Sequence, residues 1–167
     1  MILEVVKAPD KSLHRKTEVI EVVDEKLEKL LDDMYETMVE NDGIGIAAPQ
    51  VSSRKRVALV QLTPEDELFT LINPVITKKS GSDIFVEGCL SIPHVFGTVE
   101  RAEEIVVEFH ERSGNFVEME ASGFLARAIQ HEVDHLDGIL FTEKMIERIP
   151  EEELEDYYQK YEEEHND

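Results

Sequence analysis

Apolar positions recur at helical spacing in three stretches of the chain and at strand spacing in five. Leu27, Leu30, Leu31, Met34 and Met38 share one helical face, with Asp24 placed to cap it and Gly43 to stop it. Strand-type runs then occupy 56–62, 68–76 and 84–92, the last containing Cys89. Two more, 104–110 and 115–121, flank a turn rich in polar residues and Gly114, which predicts a hairpin. A second helix is predicted over 124–137, ending at Gly138. A third starts after Pro150, where Leu154, Tyr157, Tyr158 and Tyr161 recur at i, i+3, i+4, i+7. Helix, strands, helix is the order of an α+β fold with mostly antiparallel sheets around a core helix, rather than of alternating βαβ units.

Composition narrows the picture. With 167 residues, no repeat and no linker-like stretch, residues 1–167 are expected to form a single catalytic-sized domain. Seventeen basic against 38 acidic side chains leave a net charge of −21, which opposes phosphate-backbone binding and argues against DNA as a partner. No apolar run approaches the roughly 20 residues of a membrane helix, and Glu4, Lys7 and Asp10 interrupt any signal-peptide pattern. The single cysteine forms no internal disulfide, and a reducing cytoplasm is the expected location. Residues 150–167 hold nine acidic side chains and one basic one, so the last helix is expected to dock by its tyrosines and keep its acidic face in water.

The strongest chemical signal is His131-Glu132-Val133-Asp134-His135 on the second helix. Two imidazoles four residues apart leave a helix on one face, close enough to share a metal ion, with Glu132 beside the open coordination position. Asp134 points to another face, where a solvated or supporting role suits it. A third protein ligand is needed. The continuation xxGxxH of one metalloprotease class fails, because Gly138 is present but Phe141 stands in the last position. A later carboxylate (Glu143, Glu147 or a tail acid), Cys89 and His94 remain as candidates.

A third motif, Gly43-Ile44-Gly45-Ile46-Ala47-Ala48-Pro49-Gln50, packs two glycines and two alanines into eight residues, as close approach of a peptide-like ligand requires. Together these residues resemble the peptide deformylases, whose motifs GφGφAAPQ, EGCφS and QHExxDH appear in order at 43–50, 87–91 and 130–135. The resemblance extends to Pro9-Asp10, to Ile72-Asn73-Pro74 and to the C-terminal helix. Its one departure, Ile46 for the usual leucine, conserves volume.

The resemblance implies a hydrolase that removes the formyl group from N-formylmethionyl nascent peptides. Cys89, His131 and His135 would hold the metal, Glu132 would act as general base, and the Gln50 amide and Leu90 N–H would donate to the oxyanion. It implies Fe(2+), although one thiolate and two imidazoles also suit Zn(2+), Ni(2+) or Co(2+). For substrate binding, Ile44, Gly45 and Gly88 are expected to pair with the peptide backbone. Phe124 and Ala128, on the helical face of His131, are expected to floor a thioether pocket, with Arg127 nearer its rim. A Glu87–Arg101 charge pair could steady the Cys89 strand. Contact with the ribosome is expected to be transient at most, given the acidic tail. The competing readings are a zinc endopeptidase using a downstream Glu, and a catalytically silent relative with a binding role.

Overall fold

The computed structural model describes residues 1–165. Helix α1 (Glu25–Glu40) opens where the Asp24 side chain accepts the Leu27 N–H at 2.9 Å, as the pattern predicts. Its end differs from expectation. Asp42, not Gly43, takes the left-handed conformation (φ 55°), and Gly43 instead leaves room for the Leu90 side chain, 2.9 Å from where a β-carbon would sit.

Five antiparallel strands form one sheet in the order β1 (Gly45–Ala47), β2 (Val57–Val60), β3 (Phe69–Ser80), β6 (Glu104–His110) and β7 (Phe116–Ser122). Strand β2 is buried on both faces and shows how the layers are built. Val57 and Leu59 join Leu27, Leu31, Met34 and Met38 under α1, whereas Val60 joins Val107, Phe109, Ile129 and Val133 under α2 (Gly123–Leu136). The sheet is thus held between the two helices, each burying the apolar face read from its periodicity. The hairpin β6–β7 falls within a residue of its predicted limits.

A second, three-stranded sheet contains β4 (Asp83–Cys89), β5 (Ile92–Arg101) and β8 (Glu147–Arg148). The predicted run 84–92 therefore ends earlier than expected, and β5 was not predicted at all. Its ladder to β4 is irregular: Glu87 faces Gly97 but Cys89 faces Ile92, and the surplus residues bulge around His94 at φ 65°. This break falls just before Cys89, the last residue of β4. Helix α3 (Leu154–His165) docks as expected, with the rings of Tyr157, Tyr158 and Tyr161 centred 5.7, 5.7 and 4.7 Å from that of Phe85. The Tyr161 hydroxyl also donates to Asp83. Among the described residues, no helix is long and apolar enough to cross a membrane.

Candidate active site

Three segments converge on one spot. Helix α2 presents His131 and His135 one turn apart, their ring centroids separated by 5.0 Å, with Glu132 between them in sequence. The end of β4 brings the Cys89 sulfur to 3.2 Å from His135 Nε2. One donor atom from each of Cys89, His131 and His135 lies within 4.8 Å of the other two. From the opposite side, β1 and the helical turn Ala48–Val51 contribute Gly45 and Gln50. Gly45 leaves room for Glu132, whose carboxylate would have to move for a β-carbon there, 2.9 Å from its Cδ. Gly88 is similarly constrained by Phe96, 2.7 Å from its missing β-carbon.

The donor chemistry fits a divalent ion. A thiolate and two imidazoles are borderline-soft ligands, and three protein ligands leave a position open. Glu87 organises the group from behind. It accepts hydrogen bonds from Arg101 Nε and Nη2 (2.9 and 2.8 Å), from Arg127 Nη1 (2.8 Å) and from His131 Nδ1 (2.8 Å). Fixing Nδ1 in this way orients the His131 ring and leaves its other nitrogen for a ligand's role. Burial alone would raise the Glu87 carboxyl, but the hydrogen bonds from Arg101 and His131 hold it well below the usual carboxylate range. The Glu87–Arg101 pair is therefore present, and it is part of a larger network. Asp134 closes that network on the far side, accepting from Arg101 at 2.6 Å and forming an ion pair with Lys144 at 2.9 Å.

Glu132 lives in a different field. It is buried, its Oε1 has no hydrogen-bond partner among the described residues, and burial pushes its carboxyl up to about 7. A group that is costly to ionise and faces an open space is poised to exchange a proton. Gln50 is locked: Oε1 accepts the Ala47 N–H at 2.9 Å, and Nε2 donates to Ser91 Oγ at 3.2 Å and lies 3.6 Å from the Cys89 sulfur. Ser91, which fixes the amide, is a site residue to which spacing alone assigns no role. Its place two residues after Cys89 was the available signal.

Gly45, Gln50, Glu87, Cys89, His131 and Glu132 line a cavity of about 850 Å³, together with Ile44, Gly88, Leu90, Phe124 and Ala128. Arg127 also borders it, but not as expected. It is buried rather than at the rim, and its guanidinium is committed to Glu87, the Val99 carbonyl and the Asp83 carbonyl. Phe85, Glu151 and Tyr158 border the cavity too and were not anticipated. The alternative metal ligands stand outside the donor trio, although His94 borders the same cavity. His94 is exposed and meets Glu151 at 3.2 Å, Glu143 accepts the Leu140 N–H, and Glu147 is exposed in β8.

Known proteins share this sequence and this fold. A sequence model of the polypeptide deformylases matches residues 2–150. Peptide deformylase 1 of Bacillus subtilis is 48% identical over 155 residues, which cover 93% of this chain and 97% of that one. The crystal structure of a peptide deformylase from Legionella pneumophila superposes with a TM-score of 0.85 at 35% identity, covering 87% of each chain. A class I type b peptide deformylase from Acinetobacter baumannii, crystallised with Met-Ala-Ser bound, gives 0.82 at 38% identity and covers 87% of this chain and 99% of that one. Joined to the clustered Cys89, His131 and His135 and the buried Glu132, these matches leave one assignment: the chain belongs to the polypeptide deformylase family.

Proposed function

We propose that this protein hydrolyses the N-formyl group of N-formylmethionyl nascent peptides and releases formate. The observation that carries the reading is the buried Glu132 carboxylate, its Oε1 unpartnered, beside the clustered Cys89, His131 and His135 donors, with Glu132, Cys89 and His131 lining one open cavity. Cys89, His131 and His135 would hold a divalent ion, which would supply Lewis acidity to the site. Glu132 takes the proton from the attacking water and passes it to the departing amine. Gln50 Nε2, held by Ser91, and the Leu90 N–H donate to the oxygen that becomes negative as the formyl carbon turns tetrahedral. The bound ion is Fe(2+) on this reading, with Zn(2+), Ni(2+) and Co(2+) compatible with the same ligands.

The peptide binds as an added strand. β1 is the edge of its sheet, so the backbone of Ile44 and Gly45 pairs with the peptide there, although the Ile44 carbonyl already accepts the Gln61 N–H at 2.8 Å, with Gly88 across the cavity. Phe124 and Ala128 floor the space for the methionine side chain. The Met-Ala-Ser seated in the Acinetobacter relative supports a tripeptide footprint. Arg127 acts from behind this floor through Glu87. Engagement with the ribosome is transient at most, since residues 150–167 carry nine acidic side chains and one basic one.

The test is formate release from formyl-Met-Ala-Ser by anaerobically purified protein, with its metal content measured. Formate in step with peptide consumption supports the reading, and none from metal-loaded protein overturns it. Cys89→Ser should strip or cripple the metal. Full metal content and activity in that variant would return the third ligand to a carboxylate and revive the endopeptidase reading.

A further inference from the structure

We infer that the N-terminal segment, residues 5–17, positions the oxyanion donors through backbone hydrogen bonds from Val6 to Gln50 and from Ala8 to Ser91. This rests on the deformylase reading and gives a role in it to a stretch that lines no part of the cavity. The site is assembled from three separate pieces of chain: the 48–51 turn with Gln50, the end of β4 with Cys89 and then Leu90, and α2 with His131 and His135. One continuous segment touches all three. The Val6 N–H donates to the Gln50 carbonyl at 2.7 Å, and the Ala8 N–H donates to the Ser91 carbonyl at 2.8 Å. Farther on, the Thr17 N–H and hydroxyl both donate to the carbonyl of Leu136, the residue after His135, at 2.9 and 2.8 Å. Gly138, at φ 77°, lets the segment lie close against the end of α2, since a β-carbon there would sit 2.8 Å from the His14 carbonyl oxygen.

The segment is anchored well enough to act as a brace. Residues 1–7 belong to no helix or sheet, so their N–H groups are not committed to a ladder. Val5 and Leu13 are buried, and Asp10 caps the short helical turn Lys11–His14 by accepting the Ser12 N–H at 2.9 Å. Ser91 Oγ fixes the Gln50 amide, while the segment holds the carbonyls of both residues. The spacing between the Gln50 side chain and the Leu90 N–H is thereby set from a third point. Such donors stabilise a developing charge only if they are in place before it forms. A displacement of about 1 Å can cost about 10²-fold in rate. Val6 and Ala8 are thus positioning residues, acting through Gln50 and Ser91.

The test removes single N–H groups without changing a side chain, by replacing Val6 or Ala8 with its α-hydroxy acid so that the amide becomes an ester. Leu3 treated likewise is the control, because its N–H donates to Thr37 Oγ1 of α1 instead, at 2.8 Å. With metal content equal to the parent's, the Val6 and Ala8 esters should each lower kcat on formyl-Met-Ala-Ser by about tenfold and leave KM within about twofold. The Leu3 ester should leave kcat within about twofold, and so should the Val6 ester in a Gln50→Ala background, where the donor it positions is gone. The unmodified protein gives a second measurement: a peptide hydroxamate filling the oxyanion position should slow hydrogen exchange of the Val6 and Ala8 amides about tenfold, and that of Leu3 by less than about threefold. Unchanged kcat in both esters, an equal loss from the Leu3 ester, an undiminished Val6 effect in the Gln50→Ala background, or exchange at Val6 and Ala8 that ignores the hydroxamate would each overturn the inference and leave the deformylase reading intact. A metal-loaded parent that releases no formate would overturn both.

Discussion

Arg101 meets Glu87 through two parallel hydrogen bonds of 2.9 and 2.8 Å, and the two side chains are only 3% and 5% exposed. The same carboxylate holds the His131 ring, so a contact between β4 and β5 sets the orientation of a metal-ligand candidate on α2.

Removing one partner of such a pair leaves the other charge buried. Arg101→Ala should therefore cost about 3–5 kcal/mol in urea unfolding of the metal-loaded protein. Arg101→Lys should recover only part of it, because an ammonium cannot reproduce the planar two-point contact. A loss within about 0.5 kcal/mol, the range of an ordinary surface change, would show that Arg127 and His131 alone satisfy Glu87.

Glu132→Ala should keep its metal, since Glu132 stands outside the donor trio, while turnover on formyl-Met-Ala-Ser falls by about 10²–10⁴-fold, the usual worth of a general base. Metal analysis and formate release on one preparation check this. Near-normal turnover with metal in place would remove Glu132 from the mechanism.

Gln50→Ala should lower kcat by roughly 10²–10³-fold, the typical cost of one oxyanion donor. Gln50→Glu should be worse, because it sets a negative charge where another must develop. If both variants work at wild-type rates, the amide serves only to tie the 48–51 turn to Ser91.

The docking of α3 carries its own signature at high pH. Burial, and then the hydrogen bond to Asp83, push the Tyr161 phenol up to about 12, above the usual value of about 10. The folded state thus favours the neutral phenol. Its contribution to stability is complete below about pH 10 and is lost as the pH rises toward about 12. The stability gap between wild type and Tyr161→Phe should accordingly be flat up to about pH 10 and close above it. A gap that stays constant into strong alkali would contradict the contact.

What the sequence revealed follows the range over which each signal acts. α1, α2 and the β6–β7 hairpin were legible because helical period and turn chemistry are local. β5 was not, since Pro93, His94 and Gly97 interrupt its alternation at the bulge. β1 and β8, three and two residues long, are too short to show any period. In the site, the spacing of His131 and His135 announced itself, whereas Cys89 stayed one candidate among several until the deformylase motifs singled it out. Helical facing put Arg127 beside His131 correctly but could not reveal that Glu87 would claim it. Glu151 and Tyr158 were invisible because their place at the cavity depends on how the C-terminal segment packs.

The missing side chain at Gly45 makes that position a blind spot for any screen based on folding. Alanine there, the smallest possible lesion, would drive its methyl group against the Glu132 carboxylate, on a strand whose buried neighbours Ile46 and Ala47 are untouched. The lesion falls on the general base rather than on the core, so Gly45→Ala should lower turnover more than it lowers thermal stability.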